Sequence, residues 1–113
     1  MGKMNSGTVS VEINGRTYDL AYSLGAIDAI ERMGGPRQTL QRVQEMSFDA
    51  IVGTIAAGTG AKGKDVQRIR QDVLAAGIAT AAGLVAEYLM LCVFGPSWRE
   101  RDEAEGDDDE GNA

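Results

Sequence analysis

The chain has no histidine and one cysteine, Cys92, and these two shortages remove most of the chemistry that 113 residues could carry. Without histidine neither a Ser-His nor a Cys-His pair exists, the usual means of activating a hydroxyl or thiol. One cysteine gives no disulfide framework and suits a reducing compartment. Aromatic residues make up only 5% of the chain. No apolar run approaches the roughly 18 residues a membrane span requires. Residues 1–7 are short and polar, unlike a signal peptide. These features predict a soluble, cytoplasmic chain with no membrane partner.

Positive charge is scarce as well. The net charge is −6, and residues 99–113 account for all of it with eight acidic groups and two arginines. Residues 1–98 hold nine charges of each sign, so the body of the chain has no net field to attract nucleic acid. The length predicts one domain over residues 8–98, with residues 1–7 as a flexible N-terminus. Residues 99–113 lack hydrophobic periodicity and are expected to be a disordered acidic tail.

What is present is concentrated in residues 8–35. Val9, Val11 and Ile13 alternate with Ser10 and Glu12, the period of a strand with one buried face. Asn14-Gly15 follows, a strong signal for a two-residue type I′ turn. The turn pairs Val11 with Tyr18, Val9 with Leu20 and Ile13 with Arg16, placing Tyr18, Leu20 and Tyr22 on the face of the valines. Ser23 can then cap a helix with Leu24, Ile27, Ile30 and Met33 along one side and Asp28, Glu31 and Arg32 toward water. Gly34-Gly35-Pro36 should end it.

Further helices are predicted downstream. Residues 38–46 suggest one with Leu40, Val43 and Met46 inward. Ser47 caps the next, whose face is Phe48, Ile51, Val52 and Ile55 up to Gly58. After a glycine-rich loop, Asp65 is expected to cap a stripe of Val66, Ile69, Val73 and Leu74 that ends at Gly77. The last helix, residues 80–94, carries Ala81, Leu84, Val85, Tyr88, Leu91 and Cys92 on one side, and Glu87 is its one charge. A helix apolar nearly all round is either buried on several sides or keeps a face for a partner. On the second reading Leu84, Tyr88, Met90, Leu91 and Phe94 are the candidate partner-binding residues. The predicted fold is α+β and mostly α: an N-terminal two-stranded hairpin packed on a compact bundle of four to five short helices.

Residues 13–20 (INGRTYDL), followed by Leu24-Gly25-Ala26-Ile27 and Ile30-Glu31, resemble the opening of the phage tail assembly chaperone family, the small tail-assembly proteins of long-tailed phages and gene transfer agents. Residues 47–51 (SFDAI) and Gly95-Pro96 fit the family's layout, so the resemblance covers roughly residues 8–96. It implies a protein of the bacterial cytoplasm that binds the tape-measure protein, keeps it soluble while tail-tube subunits assemble, and is not retained in the particle. The acidic tail departs from the shared pattern. The alternatives are a structural tail component, such as a tube or connector, and an unrelated small helical binding module. Self-association is compatible with each.

No constellation points to an enzyme or a cofactor. Residues 58–64 match the spacing of a nucleotide-binding P-loop, but Asp65 stands where a Ser or Thr must bind magnesium, and a helical pattern precedes the loop instead of a strand. Asp107-Asp108-Asp109-Glu110 lacks the ligand spacing of a calcium loop, so no metal site is predicted. Trp98 is either a plug on the core or an exposed anchor.

Overall fold

The computed structural model describes residues 7–96. Trp98 and the acidic tail, with the readings attached to them, lie outside the described residues. Strands β1 (Thr8–Ile13) and β2 (Arg16–Ala21) form an antiparallel pair, followed by helices α1 (Leu24–Glu31), α2 (Pro36–Gln44), α3 (Phe48–Thr59), α4 (Lys64–Ala76) and α5 (Ile78–Phe94). The hairpin register is the predicted one, with Val9 opposite Leu20, Val11 opposite Tyr18 and Ile13 opposite Arg16. Asn14 and Gly15 both have positive φ, 56° and 76°, as a type I′ turn demands.

A two-stranded sheet is marginal by itself, and here its inner face lies against the helices. Val9, Ile13 and Leu20 are completely or almost completely buried, as are Ile51 and Ile55 of α3 and Val85, Tyr88, Leu89 and Leu91 of α5. Burial of each such side chain is worth about 1.5–3 kcal/mol. Leu20 comes so close to α3 that a Cβ on Gly58 would lie 2.9 Å from its own Cβ. Glycine is what lets the strand and helix meet at this point.

The caps explain where the helices stop. Ser23 and Ser47 accept hydrogen bonds from the amides of Ala26 and Ala50, two of the three N-caps expected. After α1, Gly34 N–H donates to Glu31 and Gly35 N–H to Ile30, a Schellman closure. Pro36 then opens α2 at its first turn, two residues ahead of the predicted start. α2 closes in the same manner, with Met46 donating to Val43 and Ser47 to Arg42. That closure puts Met46 at φ 66° and half-exposed, in place of the inward position expected.

Two further side chains leave their predicted stripes: Leu24 is 84% exposed and Leu74 63%. In α1 the buried positions are Ala26 and Ile30, so the core face is rotated from the one expected. In α4 the buried set is Ile69, Asp72 and Val73, and Gly63, not Asp65, holds the N-cap position. Gly77, at φ 102°, serves both as the end of α4 and the start of α5, which therefore begins at Ile78, before the predicted Thr80. The two helices meet there with a bend of 118°.

Candidate functional site

The five residues singled out on α5 divide into two groups. Tyr88 and Leu91 are fully buried, which removes them from any binding face. The Tyr88 hydroxyl donates to the carbonyl of Ala21 at 2.6 Å, tying the helix to the end of β2. Desolvation pushes the Tyr88 phenol well above its ordinary range. Leu84 and Met90 are partly buried, and Phe94 is 52% exposed. Met90 and Phe94, four residues apart, lie on the same side of the helix. The outer side of α5 thus carries Met90 and Phe94, with Gly83 exposed and Glu87 partly exposed in line with them, whereas Leu84 packs against the core. Tyr88 and Leu91 face the opposite demand, that of the core.

Cys92 is partly buried within the same helix. Burial pushes its thiol up to about 11, against a smaller opposite effect of hydrogen bonding with Tyr88. At neutral pH it is a thiol and a poor nucleophile.

A second surface feature was not anticipated. α1 and α3 run antiparallel, as Leu20 meets Gly58 at one end and Met33 meets Gly53 at the other. Between them lies an open groove of about 620 Å³. Its walls are small: Gly25 and Ala29 from α1, and Gly53, Ala56, Ala57 and Gly60 from α3 and its cap. The charged groups lining it are both basic, Arg32 beside the Met33 end and Lys62 beside the Ser23 end. Neither makes an ion pair among the described residues. The sequence carried a signal for the groove, since small residues recur at 53, 56, 57 and 60, the spacing of one helical face.

The polar cluster that stands out in the structure is structural in kind. Asp72 of α4 is 4% exposed and accepts hydrogen bonds from Asn14 Nδ2 at 3.0 Å, Arg16 Nε at 2.8 Å and the Tyr18 hydroxyl. Burial would push its carboxyl up, but the three hydrogen bonds and the Arg16 charge outweigh this and hold it below the usual range. Burial, then the bond to Asp72, push the Tyr18 phenol up to about 12. The cluster fastens the turn of the hairpin to α4.

Residues 58–65 follow a helix, as expected, and no strand leads into them. The segment is the last turn of α3, a short loop and the first turn of α4, where Asp65 lies 3.6 Å from Arg68. Among the described residues, no three His, Cys, Asp or Glu side chains come together as a metal site. No single helix among them is long and apolar enough to cross a membrane. Comparison with protein-family models, curated proteins and solved structures finds no match to this chain.

Proposed function

We propose that this protein is a tail assembly chaperone of a phage or gene transfer agent, one that binds the tape-measure protein and keeps it soluble until tail-tube subunits enclose it. The observation that carries the reading is the adjoining pair Met90 and Phe94 on the outer side of α5, with Phe94 52% exposed, beside the further large apolar side chains Leu24, Leu74 and Met46 that other elements leave in water. Exposed apolar surface of this kind marks an interaction site more often than a catalytic one. An amphipathic client helix can lay its apolar side against such residues. Met90 and Phe94 on α5 are the contact residues of this proposal, and methionine supplies an adaptable surface for a repetitive client. The resemblance of residues 8–96 to the chaperone family supplies the identity of the client.

On this reading the protein acts in the bacterial cytoplasm, without a cofactor and without catalysis, and is left behind when the particle is complete. The two-stranded sheet weighs against the alternative of a tail-tube subunit, because tube rings are built from many-stranded β-sandwiches. The test is co-expression with the longest reading frame just downstream of its gene. The proposal expects that product to become soluble and to co-purify with this chain. An insoluble product with no complex would remove the chaperone reading.

A further inference from the structure

The hairpin leaves a row of backbone groups on β1 without partners. Gly7 accepts a hydrogen bond from the Tyr22 amide at one end, and the two-residue turn closes on Ile13 and Arg16 at the other. Bonded and non-bonded pairs alternate in an antiparallel ladder, so Gly7, Val9, Val11 and Ile13 aim their N–H and C=O groups at β2. Those of Thr8, Ser10 and Glu12 point away from it. Among the described residues no group outside the hairpin bonds to them. Glu12 is exposed, and Thr8 and Ser10 are partly so. The edge of β2 differs, because the outward carbonyl of Ala21 is taken by the Tyr88 hydroxyl.

Such a row is a template for another strand, and β1 lacks the usual devices that blunt it. It has no proline, no lysine and no bulge, and its register runs unbroken from Thr8 to Ile13. The row is also complementary to itself. A two-fold axis through Ser10 sets Ser10 against Ser10 of a second copy, Thr8 against its Glu12 and Glu12 against its Thr8. All the outward groups then pair, with two bonds exchanged at each position. Each Thr8 hydroxyl meets a Glu12 carboxylate, the same hydroxyl–carboxylate match that Ser10 and Asp19 make across the hairpin at 2.6 Å. The two Glu12 carboxylates stand four residues apart along the strands, about 13 Å, and avoid each other. On the inner face Val9 falls opposite Val11 of the second copy, which continues the apolar side of the sheet.

We propose that the outer edge of β1 pairs antiparallel with β1 of a second copy of this chain, giving a four-stranded sheet across a two-fold dimer. The contact uses the hairpin and leaves Met90 and Phe94 of α5 free. It is read with no client present, so its failure leaves the chaperone reading standing.

The experiment measures amide hydrogen exchange by NMR, with mass by light scattering, on the full-length chain at about 0.02 mM and about 1 mM. At the higher concentration the Thr8, Ser10 and Glu12 amides are expected to slow by about fivefold or more. The amides of Thr17 and Asp19, which point outward from β2, are expected to be unchanged, and the mass to rise toward twice 12.0 kDa. Ser10→Lys sets two ammonium groups against each other on the axis while Asp19 still faces the side chain within each chain. Thr8→Pro removes an outward N–H at the first residue of the strand, where proline is tolerated. Both variants are expected to keep the wild-type circular dichroism spectrum and lose the concentration dependence. A monomer mass with fast β1 exchange at both concentrations would overturn the proposal. So would a dimer that persists in both variants, or protection on β2 equal to that on β1. β1 protection that is independent of concentration would assign the edge to another part of the same chain. Protection gained only on adding the tape-measure candidate would assign it to a client strand, and either result overturns the second copy as occupant.

Discussion

The hydroxyl of Tyr18 and the carboxylate of Asp72 share a hydrogen bond across 54 positions of sequence, joining the hairpin to α4 in a buried setting. Asn14 and Arg16 bond to the same carboxylate, so turn and strand are fixed to the helix at a single residue. Removing one donor leaves a buried charge short of a partner. Tyr18→Phe is expected to lower stability by about 1.5–3 kcal/mol, the usual worth of a hydrogen bond to a charged group. Chemical denaturation of the variant checks this. A loss below about 0.5 kcal/mol would mean that water replaces the hydroxyl.

The same pair sets the pH limits of the fold. Asp72 has a folded pKa held below its ordinary value, so its stabilisation is complete above the unfolded pKa near 4 and is lost as pH falls through the folded value. Tyr18, raised to about 12, favours the fold while protonated, and that contribution disappears between about pH 10 and about pH 12. Melting temperature against pH should therefore fall at both extremes. In Asp72→Asn the acid limb is expected to be shallower.

Two positions on α5 give opposite expectations. Tyr88 is fully buried and bonded to Ala21, so Tyr88→Asp places a charge in the core and is expected to unfold the protein. Met90 is only partly buried, and Met90→Asp is expected to leave a folded chain that no longer holds its client. Circular dichroism and a co-purification assay on both variants distinguish the core side of the helix from the contact side.

Gly58 and Gly53 form a second contrasting pair. At Gly58 an added Cβ meets the Leu20 Cβ and backbone at 2.9–3.0 Å, with nowhere for the strand to go. Gly58→Ala is expected to cost about 1–3 kcal/mol, the range of overpacked cores. At Gly53 the near neighbour is the flexible end of Met33, at 2.7 Å, which can turn away. Gly53→Ala is expected to be nearly neutral, and thermal melts of the two variants give the comparison.

Local rules made the hairpin legible, since alternation, Asn14-Gly15 and the face of Tyr18 and Leu20 all agree on one register. The serine caps were readable for the same reason. What escaped were choices made by tertiary packing. Leu24, Met46 and Leu74 have apolar side chains at helical spacing, yet neighbouring small or polar residues take the interior. Met46 adopts a left-handed conformation that glycine would fill more easily, so nothing in its side chain announces the Schellman closure. Asp72 occupies an inward position because three donors from the hairpin reach it, and those donors become visible only after the chain folds. Tyr88 and Leu91 look the same as surface residues in sequence because α5 is apolar on every side; which side faces out depends on where α2 and α3 lie.

The most direct test of the chaperone account is to dilute the unfolded downstream tape-measure candidate into buffer containing this purified chain and follow light scattering. The account expects scattering to be suppressed as the chain approaches stoichiometric amounts, with Met90→Asp failing to protect. Scattering that rises equally with and without the wild-type chain would contradict it.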